Sequence, residues 1–299
     1  EYALVDRMAR TPAAVARLLE QVWTPARKRA ANERDALVAM AASHDETATI
    51  EPWDWRYYAE KVRAVRYAVD DAVVKPYFAL ERVVEAAFDC AQRLFGLRFI
   101  PRPELRAYHP DVQVYEVQSD DGRVIGVFLH DNFARPSKRG GAWMSSYRKQ
   151  SRIAGDVLPI IVNNNNFAKG AEGEPTLLSL DDARTLFHEF GHGLHGLLSQ
   201  VTFESLSGTQ VLRDFVELPS QIFEHWLLEP EVLKRHARHI ETGEPMPDDL
   251  IERLAQARRF NQGFETVEYT ACALVDMALH AQAAVDGIDI TAFERDELK

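Results

Sequence analysis

The sequence predicts an α+β protein that is mainly helical and contains a small antiparallel β-sheet. Most of residues 1–103, and the stretch from Leu180 onward, place apolar side chains at helical spacing. Between them, from Leu105 to Phe133, apolar and polar side chains alternate as they do in half-buried strands. We therefore expect a helical region over residues 1–103 and a core that carries the sheet over residues 104–299, joined as one continuous structural unit.

Four helices are expected ahead of the sheet. Residues 1–43 are rich in Ala, Leu, Arg and Glu, and Pro12 and Pro25 mark the starts of two helices, where the missing N–H of proline costs little. A third, amphipathic helix is expected over Asp54–Val69. A fourth is expected over Leu80–Phe95, which ends before a glycine.

The strands are expected in three runs. The alternating segment Leu105–Phe133 is interrupted by Asp120-Asp121-Gly122, a turn signal that predicts a hairpin. A third extended run, Val157–Val162, leads into the asparagines at 163–166. The segment Arg135–Trp143, between the hairpin and the third run, is expected to be a loop.

Helices return after the third strand. Ser179 or Asp181 can cap the first of them, and acidic residues at its start suit the positive end of the helix dipole. The expected helices span residues 181–199, 214–228, 230–241 and 247–283.

Composition and charge narrow the function classes. The chain of 299 residues carries a net charge of −11, which disfavours binding to nucleic acid or to an anionic membrane surface. No apolar run approaches the roughly 18 residues that a membrane-spanning helix needs. Cys90 and Cys272 lie far apart, so we expect no disulfide scaffold and a reducing, cytoplasmic location. We expect no signal peptide and no obligate protein partner, and both ends look like cuts through a longer protein.

Residues 188–192 read His-Glu-Phe-Gly-His, and the surrounding pattern places them on a helix. Two histidines at this spacing project from the same helix face, because one turn takes about 3.6 residues. His188 and His192 can therefore hold one zinc ion, and Glu189 would lie beside it as a general base. By itself, the motif is also compatible with a surface network of salt bridges.

A catalytic zinc site needs a third protein ligand and an open position for water. His195 lies on the same helix face, but neighbouring turns of one straight helix do not easily arrange three imidazoles around a tetrahedral ion. The motif with a third histidine also fails, because Leu198 stands where that histidine belongs. Glu217, on the next expected helix, would complete a His-His-Glu set, which is a recognised catalytic zinc site. We favour Glu217, and other carboxylates remain as alternatives.

Three glycines fall within the motif helix: Gly191, Gly193 and Gly196. Each costs about 1 kcal/mol there relative to alanine. That cost is understandable if a neighbouring helix or a bound substrate approaches the backbone closely. Together with Glu217 and a strand ahead of the motif, the glycines favour a metal site over the salt-bridge network.

Several longer segments then carry a resemblance to a known family. The chain resembles the thimet-oligopeptidase-like zinc metallopeptidases in four segments: Phe133–Trp143, Phe187–His195, Asp214–Gln221 and Thr242–Pro245. In two further segments it looks more like the peptidyl-dipeptidase branch of that family: Phe203–Thr209 and Phe260–Tyr269. The resemblance extends from about Trp53 to Ala281.

The resemblance implies a helical, bowl-type peptidase with a zincin-like catalytic core, a deep channel, one zinc ion per chain and short unstructured peptides as substrates. It implies His188, His192 and Glu217 as zinc ligands and Glu189 as the general base. Family members are about twice as long and carry a Gly- and Tyr-rich segment that contacts the substrate. No such segment occurs here, so the chain is expected to be a fragment whose own catalysis is weak.

Four further residues are expected to bind the substrate. Asn163 and Asn164 would offer the main chain of an edge strand, formed by Val157–Asn164, to an extended peptide. His195 would line the site, and Arg139 would bind the terminal carboxylate of the substrate, although a loop salt bridge is the simpler role for this residue and its basic neighbours Arg135 and Lys138.

The functional hypothesis is a zinc metallopeptidase that releases dipeptides from the carboxyl ends of short peptides. Two alternatives stay open: an oligopeptidase that cleaves internal bonds, and a peptide-binding or scaffold fragment whose metal site has no catalytic role. Three residues are candidates for orienting the ligating imidazoles: Asp214, Ser220 and Glu224.

Overall fold

The computed structural model describes residues 2–43, 49–67, 69, 71–284 and 286–298. Its α-helices are α1 (Pro12–Ala42), α2 (Trp55–Tyr67), α3 (Asp71–Val74), α4 (Leu80–Phe95), α5 (Leu180–Leu197), α6 (Leu218–Leu227), α7 (Pro230–His236), α8 (Asp248–Ala257), α9 (Gln262–His280) and α10 (Ile290–Glu297). Its strands are β1 (Leu97–Pro101), β2 (Gln113–Ser119), β3 (Val124–Phe133), β4 (Trp143–Arg148) and β5 (Ile160–Phe167). These elements confirm a mainly helical α+β protein with one small sheet. Among the described helices, none combines the length and the apolar character that crossing a bilayer requires.

The chain divides into two compact units, Glu1–Val69 with Arg253–Lys299, and Asp70–Glu252. The first unit is helical, and α1 packs against both α2 and α9. Its core is a cluster of buried side chains from α1 and α2: Leu37, Ala41, Trp55, Tyr58, Ala59 and Val62.

Two expectations about the number of helices in a stretch are wrong. Pro25 lies inside the single helix α1 rather than at the start of a second one. The strong helix formers around it carry the helix through a site that lacks one main-chain donor. The helix expected over 247–283 is two helices, because the backbone turns left-handed at Asn261, with φ of 58°. Asparagine tolerates that conformation better than most residues.

The second unit contains a five-stranded sheet in the order β1-β2-β3-β5-β4. Three of its pairings are antiparallel, including the expected hairpin of β2 and β3. The pairing of β3 with β5 is parallel, which corrects the expectation of a wholly antiparallel sheet. The chain first forms β4 at the outside of the sheet and then returns as β5 between β4 and β3. A pattern of alternating side chains does not reveal this order.

The expected edge strand is in fact an interior strand. β5 pairs with β3 on one side and with β4 on the other, so its main chain has no free edge for a peptide. The side chains of Asn163 and Asn164 are buried. The prediction that Val157–Asn164 binds substrate by strand addition is therefore wrong, and β4 is the outer strand beside it.

An aromatic core fixes α4 and α5 on one face of the sheet. Phe88 of α4 stacks on Phe99 of β1, with ring centroids 4.1 Å apart. Phe190 of α5 lies 5.5 Å from both Phe88 and Phe128 of β3, measured between ring centroids. Because Phe190 is in the middle of the His-Glu-Phe-Gly-His motif, this contact sets the height of the motif above the sheet.

A buried ion cluster fastens the loop between β3 and β4. Asp131, whose side chain is fully buried, accepts two hydrogen bonds of 2.7 Å from the Arg135 guanidinium and one of 2.9 Å from Lys138. The Lys138 ammonium also donates to main-chain oxygens of Asp131, Phe133 and Asn165. These contacts favour the loop salt bridge over substrate binding for Arg135 and Lys138.

Asp131 should make the folding stability depend on pH. Burial raises the pKa of its carboxyl, but hydrogen bonds from Arg135, Lys138 and Tyr108 outweigh burial and lower the pKa to about 2. An unfolded aspartate has a pKa of about 3.9. The stabilisation is therefore complete above a pH of about 4 and is lost as the pH falls towards about 2.

We expect Asp131→Asn to lower the free energy of unfolding by about 2 kcal/mol or more at pH 7, and by much less at about pH 2.5. Urea denaturation at the two pH values measures the difference. Asp156→Asn is the matched control, because Asp156 is an exposed partner of Arg152 and should contribute less than about 1 kcal/mol. A deficit of Asp131→Asn that stayed the same at both pH values would contradict the assignment.

Candidate metal centre

The motif helix α5 begins where the sequence predicts. Ser179 precedes its first residue, and the Ser179 hydroxyl accepts a hydrogen bond of 3.0 Å from the Asp182 amide. The Asp182 carboxylate accepts one of 3.1 Å from the Ser179 amide, so the two residues form a capping box. This cap fixes the start of the helix and hence the directions in which the motif side chains point.

The side chains of His188, His192 and Glu217 converge at one point. Oε2 of Glu217 lies 3.1 Å from Nε2 of His188 and 3.0 Å from Nε2 of His192. The three potential ligand atoms all lie within 4.8 Å of one another. A tetrahedral zinc ion with bonds of about 2.1 Å separates its ligand atoms by roughly 3.4 Å. Two imidazoles and one carboxylate at these distances form a set that can hold one metal ion.

Close packing of α5 and α6 brings Glu217 to the motif. Glu217 directly precedes the first residue of α6. A Cβ added at Gly191 of α5 would lie 2.6 Å from the Cα of Ser220 and 3.0 Å from the Cβ of Phe223, both on α6. Any larger residue than glycine would therefore push α6, and Glu217 with it, away from the histidines.

The other two helix glycines face the sheet. An added Cβ at Gly193 would lie 2.8 Å from Oδ1 of Asn163. At Gly196 it would lie 2.7 Å from side-chain atoms of Ile161 and Met144. Gly191 thus confirms the expected approach of a neighbouring helix, whereas at Gly193 and Gly196 the sheet approaches the backbone of α5, which the sequence does not predict.

Glu224 holds the imidazole of His188 from the opposite side. Nδ1 of His188 lies 2.6 Å from a carboxylate oxygen of Glu224, and Arg184 donates to the other oxygen at 2.6 Å. The bond to Glu224 raises the pKa of His188. Burial raises the pKa of Glu224, but hydrogen bonds from His188 and Arg184 outweigh burial and hold that pKa below its usual range. With Nδ1 donating to Glu224, Nε2 of the neutral ring keeps its lone pair for a metal.

The remaining two members of the set have different surroundings. His192 is buried, and burial lowers its pKa, which favours the neutral form that ligates metals. Oγ of Ser220 lies 2.8 Å from the main-chain oxygen of Glu217 and 3.2 Å from its carboxylate. Ser220 therefore contacts the carboxylate member of the set and not an imidazole.

Glu189 lies on the sheet side of the motif and is only 7 % exposed. The main chain of Met144, on the outer strand β4, forms a hydrogen bond with its carboxylate. Burial raises the pKa of Glu189 to about 7, and the nearby Glu217 carboxylate adds to the rise. A carboxyl with this pKa can both accept and donate a proton near neutral pH.

The sequence-based interpretation missed two strands: β1, which lies within the region 1–103 expected to be helical, and β4, whose main chain contacts Glu189 at Met144. Residues 143–148 read Trp-Met-Ser-Ser-Tyr-Arg, and they do not alternate between apolar and polar side chains. The aromatic residues Trp143 and Tyr147 favour strands and are the signal that could have found β4.

The other expected site residues do not belong to the group of potential metal ligands. His195 is half-buried on α5, its ring centroid 6.4 Å from that of Phe215, and it is not part of the metal-ligating group. Arg139 is exposed, with its guanidinium 4.3 Å from the ring centroid of Trp143 at the start of β4. Asn163 and Asn164 are enclosed in β5, where Asn164 donates to the main-chain oxygen of Trp143.

The chain matches a known peptidase family along nearly its whole length. The family model described as Peptidase family M3 matches residues 1–297. Dipeptidyl carboxypeptidase of Salmonella typhimurium is 44% identical over 299 residues, and that of Escherichia coli is 42% identical over 295 residues. Oligopeptidase A of Escherichia coli is 35% identical over 287 residues.

These matches cover nearly all of this chain, namely 99%, 98% and 95% of it, respectively. They cover 44%, 43% and 42% of the relatives. The chain thus spans less than half the length of the curated relatives it matches.

Proposed function

Because the chain belongs to peptidase family M3, we propose that it is a zinc metallopeptidase that releases dipeptides from the carboxyl ends of short peptides. The observation that carries the proposal is the convergence of ligand atoms from His188, His192 and Glu217 within 4.8 Å, with Glu189 next to His188 in the chain. Exopeptidase action is preferred because the relatives named dipeptidyl carboxypeptidase are more similar than those named oligopeptidase A.

Zinc is the metal that we propose for this site. Two imidazoles and one carboxylate are typical ligands of catalytic zinc, and they leave a fourth position open. Bound there, zinc would supply a Lewis acid that polarises the scissile carbonyl and acidifies a water molecule.

Residues of the chain would transfer the proton and hold the reacting groups in position. Glu189 accepts a proton from the attacking water and delivers it to the leaving amine. The hydrogen bond from Met144 holds the Glu189 carboxylate in place. Glu224 keeps the His188 ring in the orientation that presents Nε2.

The substrate would bind along β4 rather than along β5. β4 is the outer strand on the side of the sheet next to β5, and its main chain contacts Glu189 at Met144. An extended peptide added to this strand would be held by main-chain hydrogen bonds. His195 would line the site without ligating the metal. Arg139, exposed at the start of β4, would bind the terminal carboxylate of the substrate.

A pair of matched peptides tests this proposal, one with a free carboxyl end and one with the same end amidated. Incubated with the zinc-loaded chain, the free peptide should lose its carboxyl-terminal dipeptide, as seen by mass spectrometry. The amidated peptide should react at least about 10-fold more slowly, because it cannot form the charge-assisted bond to Arg139. Arg139→Ala should raise KM about 10-fold for the free peptide alone.

Arg152→Ala is the matched control, because Arg152 is an exposed cation paired with Asp156, and it should change neither rate. Equal cleavage of both peptides at internal bonds would support the oligopeptidase alternative, which the similarity to oligopeptidase A favours. Cleavage of neither peptide by a zinc-loaded chain would contradict the proposal and support the non-catalytic alternative.

A further inference from the structure

The sheet face beneath α5 changes from apolar to polar along its length. The apolar part is formed by Phe128 of β3, next to Phe190, and by Ile161 of β5, next to Gly196. Further along the same two strands, every second residue is polar and at most 3 % exposed: His130, Asn132, Asn163 and Asn165. A buried sheet face of this kind normally carries apolar side chains, so the polar half needs an explanation.

Hydrogen bonds within the sheet satisfy this polar group only in part. Asn165 donates to Oδ1 of Asn132 at 3.0 Å, and Nδ2 of Asn132 lies 3.4 Å from Nδ1 of His130. Nε2 of His130, both polar atoms of Asn163 and Oδ1 of Asn165 are buried without a protein partner. Native proteins rarely leave buried polar atoms unsatisfied, and ordered water is the usual partner where protein groups do not reach.

Buried polar atoms without a protein partner also occur on α5, above this face of the sheet. Within the described part of the chain, the other buried side-chain atoms that lack a protein partner all lie on α5: Oε2 of Glu189, Nδ1 of His192 and Nδ1 of His195. The atoms in need of a partner are therefore confined to β3, β5 and the motif helix.

Asn163 occupies the middle of this polar group. Its register partners are His130 on β3 and Met144 on β4. Its Oδ1 lies against the backbone of α5 at Gly193, 2.8 Å from the position of an added Cβ. Gly193 directly follows His192, and Met144 is the residue whose main chain binds Glu189. Asn163 thus lies next to β4, whose main chain binds the proposed base Glu189, and next to the turn of α5 that carries the proposed ligand His192.

We propose that Asn163 is a positioning residue for the metal centre, and that its carboxamide, with His130 and Asn165, binds ordered water between the sheet and α5. Asn163 itself supports the helix backbone at Gly193, and the water supplies the hydrogen bonds that the protein groups lack. His130 fits this role as a neutral ring, because burial lowers its pKa to about 3. The effect of Asn163 on hydrolysis rests on the proposed function, because it requires the metal centre to be catalytic.

A crystal structure of the zinc-loaded chain, at a resolution of about 1.8 Å, tests the water site. We expect ordered water within about 3.2 Å of the Asn163 carboxamide and of Nε2 of His130. A carboxamide surrounded by apolar atoms, or bonded to protein groups alone, would overturn the water site. This result does not depend on whether the chain hydrolyses peptides.

Substitutions of Asn163 test the positioning role. Asn163→Leu, which keeps the volume and removes the polar atoms, should lower kcat about 10-fold, leave KM within about twofold and raise the zinc dissociation constant about 10-fold. Asn163→Asp, which keeps Oδ1 and replaces Nδ2 by a second oxygen of similar position, should recover most of both losses. Leu129→Ala is the matched control, since it empties a buried position on the opposite face of the same sheet. It should lower Tm without changing kcat or zinc binding.

A loss of Tm in Asn163→Leu with unchanged kcat and zinc binding would overturn the positioning role. If the unmodified chain binds zinc but hydrolyses no peptide, the proposed function fails, and the zinc dissociation constant alone decides the role of Asn163. If the unmodified chain binds no zinc, the metal site itself fails and the positioning role is overturned with it.

The contact with Gly193 gives a second test. Gly193→Ala places a methyl group against Oδ1 of Asn163 and should lower Tm. Adding Asn163→Ala removes the closer contact and leaves Phe128 at 3.3 Å, so the double variant should regain part of the lost Tm while kcat stays low. Recovery of both quantities would show that Asn163 only fills space.

Discussion

Replacing Glu189 by glutamine is expected to lower kcat about 10³-fold while the chain still binds zinc. The side chain is 7 % exposed, and its carboxylate receives a hydrogen bond from the main chain of Met144. Glutamine has the same shape and keeps an oxygen to accept that bond, but it cannot take up a proton from water. Steady-state hydrolysis and the zinc content of the same sample give the two quantities.

The matched control is Glu172→Gln, which alters an exposed glutamate in a loop of the same unit and should leave kcat unchanged. A Glu189→Gln variant that retained its activity would show that Glu189 is not the base. A variant that lost its zinc would assign Glu189 a role in metal binding instead.

Glu217→Ala is expected to raise the zinc dissociation constant at least about 100-fold, more than the loss of a residue that only orients a ligand. The carboxylate lies 3.0 and 3.1 Å from the two imidazole nitrogens, so its loss removes one of three protein ligands. Two histidines on one helix would then hold the metal alone. Competition with a chelator of known affinity measures the constant, and hydrolysis should be lost in parallel.

Glu224→Ala provides a graded comparison. Glu224 binds Nδ1 of His188 at 2.6 Å and would not touch the metal, so its loss should weaken zinc binding by only about 10-fold. Glu217→Ala with unchanged zinc affinity would contradict the proposed ligand set. So would a larger effect of Glu224→Ala than of Glu217→Ala.

The local features of the metal centre were predictable from the sequence. The helix cap at Ser179 and the spacing of the two histidines depend on neighbours in the chain, and local patterns describe such features well. Placing Glu217 near the motif needed one further assumption, that the next helix packs on α5. Gly191 bears this assumption out, because Ser220 of α6 approaches its backbone, whereas Gly193 and Gly196 face the sheet.

The order of the strands in the sheet was not predictable from local sequence patterns. The run Val157–Val162 suggested a strand correctly, but nothing in it indicates whether β5 lies at an edge or inside the sheet. Its interior place follows from β4, whose residues show no alternation. The proposed substrate contact therefore lies on β4 and not on β5, where the sequence predicts it. Glu189 and the three proposed ligands are proposed for the same roles that the sequence predicts.

Pro25 illustrates a similar limit within the helical unit. A proline is a local signal for a helix start, yet α1 continues through it. Packing of α1 against α2 and α9 contributes stability that the local signal does not contain.

A crystal structure of the zinc-soaked chain, with data collected on both sides of the zinc absorption edge, tests the central claim most directly. We expect one anomalous peak per chain, about 2.0 to 2.2 Å from Nε2 of His188, Nε2 of His192 and a carboxylate oxygen of Glu217. The fourth position around the metal should not be taken by protein. A peak bound by other residues, or a site closed by a fourth protein ligand, would contradict the proposed metal centre.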